Sequence, residues 1–271
     1  MIRDITIGQH FPGNSVVHRM DPRMKILLTM GYIVLLFVAA NPGGLVLAGV
    51  LLAVLYRVSR IPLRLITKSL KPILPIILFT IVLNLFFITG EGEPLVALGF
   101  LKIYAEGIRY AVLMGVRIVL LIAGTSLLTY TTSPIALTDA IERLLSPFAK
   151  LHWPVHELAM MMTIALRFIP TLIEETDKNM NAQKARGAQL DSGTLRQRMQ
   201  AMVPILIPLF ISAFRRADEL AMAMECRCYR GGEGRTRLKQ LHLTRNDWAG
   251  CVVCLVAFGV ILATNLVFQG L

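Results

Sequence analysis

Two arginines stand in matched settings. Arg186 lies in the triplet Ala185-Arg186-Gly187 and Arg227 in the triplet Cys226-Arg227-Cys228. Small neighbours let an arginine enter a groove on a partner, and its rigid fork of donors suits an acidic or carbonyl-lined pocket. Arginines inserted in this way are typical interface hot spots. The helix macrodipole also draws arginine to C-terminal turns. Two triplets of one form on two stretches of one plan weaken that plainer reading without removing it, so both triplets are candidate docking sites.

Other groups offer less. His152 and His156 are four apart with Glu157 adjacent, a spacing that can hold a metal on one helix face. Trp153-Pro154 between them points instead to a helix junction. Cys226 and Cys228 sit in a basic segment, Cys251 and Cys254 in an apolar run, and neither pair has a second pair at zinc-like spacing. No metal site is expected. No Gly-rich loop followed by Lys-Ser or Lys-Thr is present, so the chain should not bind ATP itself, and no cofactor is expected.

The elements that position the two arginines follow from composition. The chain has 271 residues, is 55% hydrophobic and carries a net charge of +11, with apolar residues in blocks and charges between them. That pattern excludes an ordinary soluble domain and fits a chain whose main solvent is lipid. The reading is an all-α integral membrane protein with about five transmembrane helices, at about 26–40, 43–56, 72–89, 107–130 and 247–268. Asp21-Pro22 supplies an N-cap and a first-turn proline for the first span. Asn41-Pro42-Gly43-Gly44 is the turn before the second. Trp248 anchors the last at the interface.

Three parts result: an N-terminal membrane part over 1–130, a domain of long amphipathic helices over 131–246, and a last span over 247–271. Of the 28 Lys and Arg, 16 fall within 131–246 and one, Lys102, within the loop 90–106. The positive-inside rule therefore places the N-terminus and residues 131–246 in the cytoplasm. Within the latter, Ser133-Pro134 starts an amphipathic helix to about 151. A long helix follows from Val155 to Arg186, stopped by Gly187, and another from Pro204 to Tyr229, stopped by Gly231-Gly232. The apolar stretches 158–173 and 202–214 are read as too short to span, and crossing would carry several Lys and Arg outside. They are expected to lie at the cytoplasmic face.

Arg109 and Arg117 fall within the fourth span. Arg109 is near an end and should snorkel. Arg117 lies near mid-bilayer and needs a partner. Asn84, at similar depth in the third span, is the expected one, so Asn84 and Arg117 form a candidate membrane-buried polar pair. Eight of the 13 methionines lie within 131–246, and Met-rich surfaces adapt to several partners.

On these residues the chain resembles the transmembrane (T) subunit family of energy-coupling factor transporters. Pro12-Gly13-Asn14-Ser15, His18, Asp21-Pro22-Arg23 and Lys25 resemble the family's opening. Ala185-Arg186-Gly187 resembles the first Ala-Arg-Gly coupling motif, and Glu225 to Gly232 the second, with Cys226 in place of the usual Ala. The resemblance implies a non-catalytic coupling subunit of an ABC importer in the bacterial plasma membrane, partnered by two ABC ATPases, by one or several interchangeable substrate-binding S components, and by lipid. ATP would be bound by the ATPases. No nucleic-acid partner is expected. The transported vitamin or metal ion would be chosen by the S component. The alternatives are a self-sufficient permease or channel, which would need polar residues lining its spans, a membrane-embedded enzyme built on His152, His156 and Glu157, and a passive scaffold.

Overall fold

The computed structural model describes residues 10–39, 41–88, 96–98, 101–147, 154–188, 194–231 and 242–269. Along these the order is α1 (Val16–Arg19), α2 (Pro22–Val38), α3 (Pro42–Ser59), α4 (Leu63–Leu70), α5 (Leu74–Phe87), β1 (Val96–Leu98), β2 (Leu101–Ile103), α6 (Ala105–Thr131), α7 (Pro134–Leu145), α8 (Val155–Ala185), α9 (Leu195–Cys226) and α10 (Arg245–Gln269). The two short strands pair antiparallel, Val96 opposite Ile103. The protein is an all-α membrane protein. Its chain divides into two compact units, Gly8–Ala140 with Gln240–Leu271, and a second containing Ile141–Lys239.

In the larger unit α2, α3, α6 and α10 enclose a core that includes Leu35, Leu36, Leu45, Ala48, Tyr130 and Ile261. The opposite faces are also apolar. Val46, Val50, Val54 and Val58 form an exposed row on α3, and Val252, Val256 and Val260 another on α10. Apolar residues four apart and turned outward are what a lipid-facing helix carries. Helices in lipid gain by close packing, so small residues mark their contacts. A Cβ on Gly124 would run into the Tyr32 ring, and one on Gly107 would lie 3.1 Å from the Leu85 carbonyl oxygen.

Polar groups gather at two levels of this unit. At one, Asp21 caps α2 by accepting from the Arg23 N–H at 2.9 Å, and its carboxylate pairs with the Arg23 guanidinium at 2.7 Å. Asp247 of α10, fully buried, accepts from the Asp21 N–H at 2.8 Å and from the Thr244 N–H and hydroxyl at 2.6 and 2.8 Å. The buried Lys25 ammonium donates to the carbonyls of His18 at 3.1 Å and Thr131 at 2.9 Å, with Asp247 and Asp21 supplying countercharge. Beside this cluster the His18 Nε2–H donates to the Phe11 carbonyl at 3.1 Å, which leaves Nδ1 to accept from the Ser15 hydroxyl at 2.7 Å. Burial lowers the His18 pKa and the nearby Lys25 lowers it further, while the Phe11 carbonyl works the other way. A Cβ on Gly13 would sit 2.8 Å from that ring, so a larger residue there would push the ring aside.

At the second level the α2–α3 turn is held by side chains from two other helices. Arg117 of α6 donates to the Ala39 carbonyl at 2.7 Å, and Asn265 of α10 to the Val38 carbonyl at 2.6 Å. From Lys25 to Ala39 and from Thr131 to Arg117 is fourteen residues in each case. The two helices therefore run antiparallel over about 21 Å at 1.5 Å per residue. The remaining N-terminal part of α6 is lined by α5, where Gly107 and Gly115 admit the α5 backbone and Ile81.

Several boundaries differ from the sequence expectation. α4 and α5 are separated by a 3₁₀ turn, Lys71–Ile73, at Pro72, and are bent by 60°. Proline removes the donor that would continue the helix. α7 ends at Leu145 and tightens into a 3₁₀ turn at Ser146 and Pro147. The expected continuation to 151 falls outside the described residues from 148 onward. α9 begins at Leu195 rather than at Pro204, because Thr194 and Gln197 form a capping box and Pro204 and Pro208 are taken inside the helix.

Among the described residues, the helices long and apolar enough to cross a membrane are α3, α6, α8, α9 and α10, with α4 and α5 together as a bent sixth. The expectation that the apolar stretches of α8 and α9 are too short is thereby corrected, since the continuous helices around them are 31 and 32 residues long.

The Asp247→Ala variant removes the acceptor of three hydrogen bonds and a countercharge of Lys25. It should lose about 3 kcal/mol or more of stability. Thermal unfolding of the detergent-solubilised protein reads this directly, and an unchanged midpoint would contradict it.

Candidate functional site

The two arginine triplets close two long helices of the same unit. α8 ends on Arg186 (φ −83°, ψ 4°), followed by Gly187 at φ 88°. The Gly187 N–H donates to the Lys184 carbonyl and the Ala188 N–H to the Gln183 carbonyl, each at 3.0 Å. α9 ends on Arg227 (φ −92°, ψ 14°), followed by Cys228 at φ 56°. Here the Cys228 N–H donates to the Glu225 carbonyl at 2.9 Å and the Tyr229 N–H to the Met224 carbonyl at 3.0 Å. Both are the paired hydrogen bonds of a Schellman cap, and each arginine holds the same place in its cap.

All six residues of the triplets are exposed. Among the described residues neither Arg186 nor Arg227 has an ion pair. Each presents an unneutralised guanidinium beside the last carbonyls of its helix, with no bulky neighbour in the triplet.

α8 and α9 are fastened to each other by Arg216, whose Nη2 donates to Glu175 Oε2 at 2.8 Å. Arg186 lies eleven residues beyond Glu175, and Arg227 eleven residues beyond Arg216. Two arms of equal length, about 16 Å at 1.5 Å per residue, thus lead from one ion pair to the two capping arginines. Sequence reasoning missed this pair. The equal spacing was its signal, readable only once the two triplets are treated as equivalent.

A model of the family described as "Cobalt transport protein" (CbiQ) matches residues 13–238. The energy-coupling factor transporter transmembrane protein EcfT of Clostridium kluyveri is 55% identical over 263 residues, covering 96% of this chain and 97% of that protein. Its counterpart in Ruminiclostridium cellulolyticum is 56% identical over 247 residues, covering 91% and 92%. That of Bacillus subtilis is 46% identical over 262 residues, covering 97% and 98%. The chain belongs to this family of transport proteins. It is a multi-pass membrane protein, the transmembrane component of an energy-coupling factor transporter.

In this T protein the expected Arg117–Asn84 pairing is not formed. Arg117 reaches across to the Ala39 carbonyl, while the Asn84 Nδ2 donates at 2.8 Å to the Thr80 carbonyl one turn back in its own helix. The reason is the C-terminus of α2, whose last carbonyls have no partner within the helix and cannot be left bare in lipid. A guanidinium satisfies such carbonyls well. Ala39 and Asn265, which complete this arrangement, carry no sequence signal.

His156 accepts a structural place. Its Nδ1 lies 3.1 Å from Glu142 Oε1, tying α8 to α7. His152 lies outside the described residues.

The caps predict opposite responses to opposite changes. Gly187→Ala forces a Cβ into the left-handed region and should cost about 1 kcal/mol at the cap. Cys228→Gly should relieve a similar strain. Amide exchange of residues 186–188 should accelerate in the first variant, and that of residues 227–229 should slow in the second.

Proposed function

We propose that this T protein couples ATP hydrolysis by two cytoplasmic ABC ATPases to a substrate-binding membrane S component, for uptake of a vitamin or metal ion. The observation that carries the reading is the pair of identical caps, each presenting one unpaired arginine at the same distance from the ion pair joining α8 and α9. Two equivalent presentations suit two similar receivers. Arg186 enters a groove on one ATPase and Arg227 a groove on the other, with Ala185, Gly187, Cys226 and Cys228 leaving the approach clear. The chain itself is non-catalytic, needs no cofactor, and leaves ATP to its partners.

Charge distribution supports the orientation. The N-terminus and residues 131–246 are cytoplasmic, α2, α3, α5, α6 and α10 cross the bacterial plasma membrane, and residues 1–130, 131–246 and 247–271 are the three functional parts. Sending α8 out and α9 back would carry Lys178, Lys184, Arg186, Arg196 and Arg198 to the outer side, against the positive-inside rule. Instead the apolar halves of α8 and α9 lie along the cytoplasmic face, where Met161, Met162, Met199 and Met202 are exposed. Methionine adapts its shape at low cost and suits a platform for exchangeable S components.

Affinity purification from the native cell tests the docking. The wild type should bring down two ATPase chains and S components, whereas Arg186→Glu with Arg227→Glu should lose the ATPases and keep the S components. A wild type that comes down alone and transports unaided in liposomes would sink the coupling role.

The ion pair supplies a separate test. Glu175→Arg should reduce ATP-driven uptake at least tenfold, and adding Arg216→Glu should restore most of it. No recovery in the double variant would remove the pair from the coupling path.

A further inference from the structure

The region from the end of α3 through α4 is the most one-sided in charge on the larger unit. Residues 22–90 contain no Asp or Glu, yet residues 57–71 hold Arg57, Arg60, Arg64, Lys68 and Lys71, and all five are exposed. Among the described residues none of the five has an ion pair. The positive-inside rule accounts for their sign. It does not account for the cavity beside them.

That cavity, of about 660 Å³, is lined by Leu52, Ala53, Ile61, Ile66 and Ala123 among others, and Arg57 and Arg60 belong to its wall. Its one hydroxyl-bearing side chain is already committed, because the Tyr56 hydroxyl donates to the Ala123 carbonyl at 2.7 Å. Gly49, Ala53 and Arg57 are spaced four apart on α3, so the cavity runs lengthwise along one face of the helix and ends at the arginines. Arg60 stands in a left-handed conformation (φ 55°, ψ 32°) that residues with a Cβ rarely adopt. This turn ends α3 and brings Arg60 to the wall that Arg57 already shares. The Tyr130 hydroxyl donates to the Leu65 carbonyl at 2.9 Å and bonds the Ser69 hydroxyl, so α4 is fixed against α6 on the cavity's border.

We propose that this cavity binds one anionic glycerophospholipid, with the headgroup phosphate between Arg57 and Arg60 and an acyl chain along Ala53 toward Gly49. Charge complementarity selects the headgroup, since two unpaired guanidiniums favour phosphate and no carboxylate stands nearby in sequence to compete. The apolar wall selects a lipid over a free phosphate ion, which would leave most of the cavity unfilled. Arg64, Lys68 and Lys71 on the exposed side of α4 add attraction for the anionic surface around it. The site is independent of the coupling role and would exist in the T protein without its partners.

The test is native mass spectrometry of the full chain in detergent, titrated with dioleoyl phosphatidylglycerol, dioleoyl phosphatidylcholine or glycerol 3-phosphate. Phosphatidylglycerol should bind at least tenfold more tightly than phosphatidylcholine, and glycerol 3-phosphate should not displace it. Arg57→Gln with Arg60→Gln should abolish the preference, and Arg57→Lys with Arg60→Lys should recover part of it, which separates lost charge from lost fold. Ala53→Leu fills the cavity without touching charge and should weaken phosphatidylglycerol at least fivefold. Equal binding of the two lipids would overturn the proposal. So would a preference that survives both the double glutamine variant and Ala53→Leu, or displacement by glycerol 3-phosphate at equal concentration.

Discussion

Lipid offers no hydrogen bonds, so every backbone group that a helix leaves unpaired must be met by the protein itself. The larger unit is organised around that constraint. α2 has its opening donors and the Asp21 N–H met by Asp21 and Asp247, and its closing carbonyls met by Arg117 and Asn265. Those four side chains come from α2, α6 and α10. The bundle's polar interactions are therefore also what fixes the relative height of its helices. An apolar interface alone would permit sliding, because lipid tails solvate leucine as well as another leucine does.

The same constraint explains why α2 can be only 17 residues long inside a membrane protein. Its closing carbonyls do not depend on water, because a guanidinium and an amide meet them. α6 continues past that level for a further twelve residues, with α5 rather than α2 beside it. Short helices meeting long ones in this way leave room for irregular backbone at membrane depth, which is tolerated only where protein covers it.

How much of this was legible in the sequence depended on whether the cause was local. The all-α membrane class, the Asp21-Pro22 start and the glycine stop at Gly187 follow from residue type and neighbours, and the helices form there. The start of α9 was missed because proline was given more weight than the Thr194–Gln197 capping box. Proline inside a helix is costly, but a capped and well-packed helix can carry it. The two arginine triplets are visible as text, whereas their equivalence as Schellman caps requires dihedral angles. Arg117 stands out in the sequence as a charge in need of a partner. Its partner was a backbone carbonyl 78 positions away, and a backbone carbonyl leaves no trace in a sequence. Glu175 and Arg216 look like ordinary surface charges until α8 and α9 are placed together.

The distribution of prolines bears on what α8 and α9 can transmit. Pro170 lies before Glu175 in α8, and Pro204 and Pro208 lie before Arg216 in α9. The two eleven-residue arms from the ion pair to Arg186 and Arg227 contain none. Each proline removes one hydrogen bond from its helix and makes a place where bending is cheap. A load applied at either arginine therefore meets unbroken helix as far as the Glu175–Arg216 pair, where the two helices are joined, and compliant helix beyond it. Under the proposed coupling role, such an arrangement would carry motion of the two caps to a common point and leave the apolar halves free to change shape. A rigid rod throughout would tie the apolar halves to one geometry, and a bend placed within the arms would lose the displacement before the two inputs met.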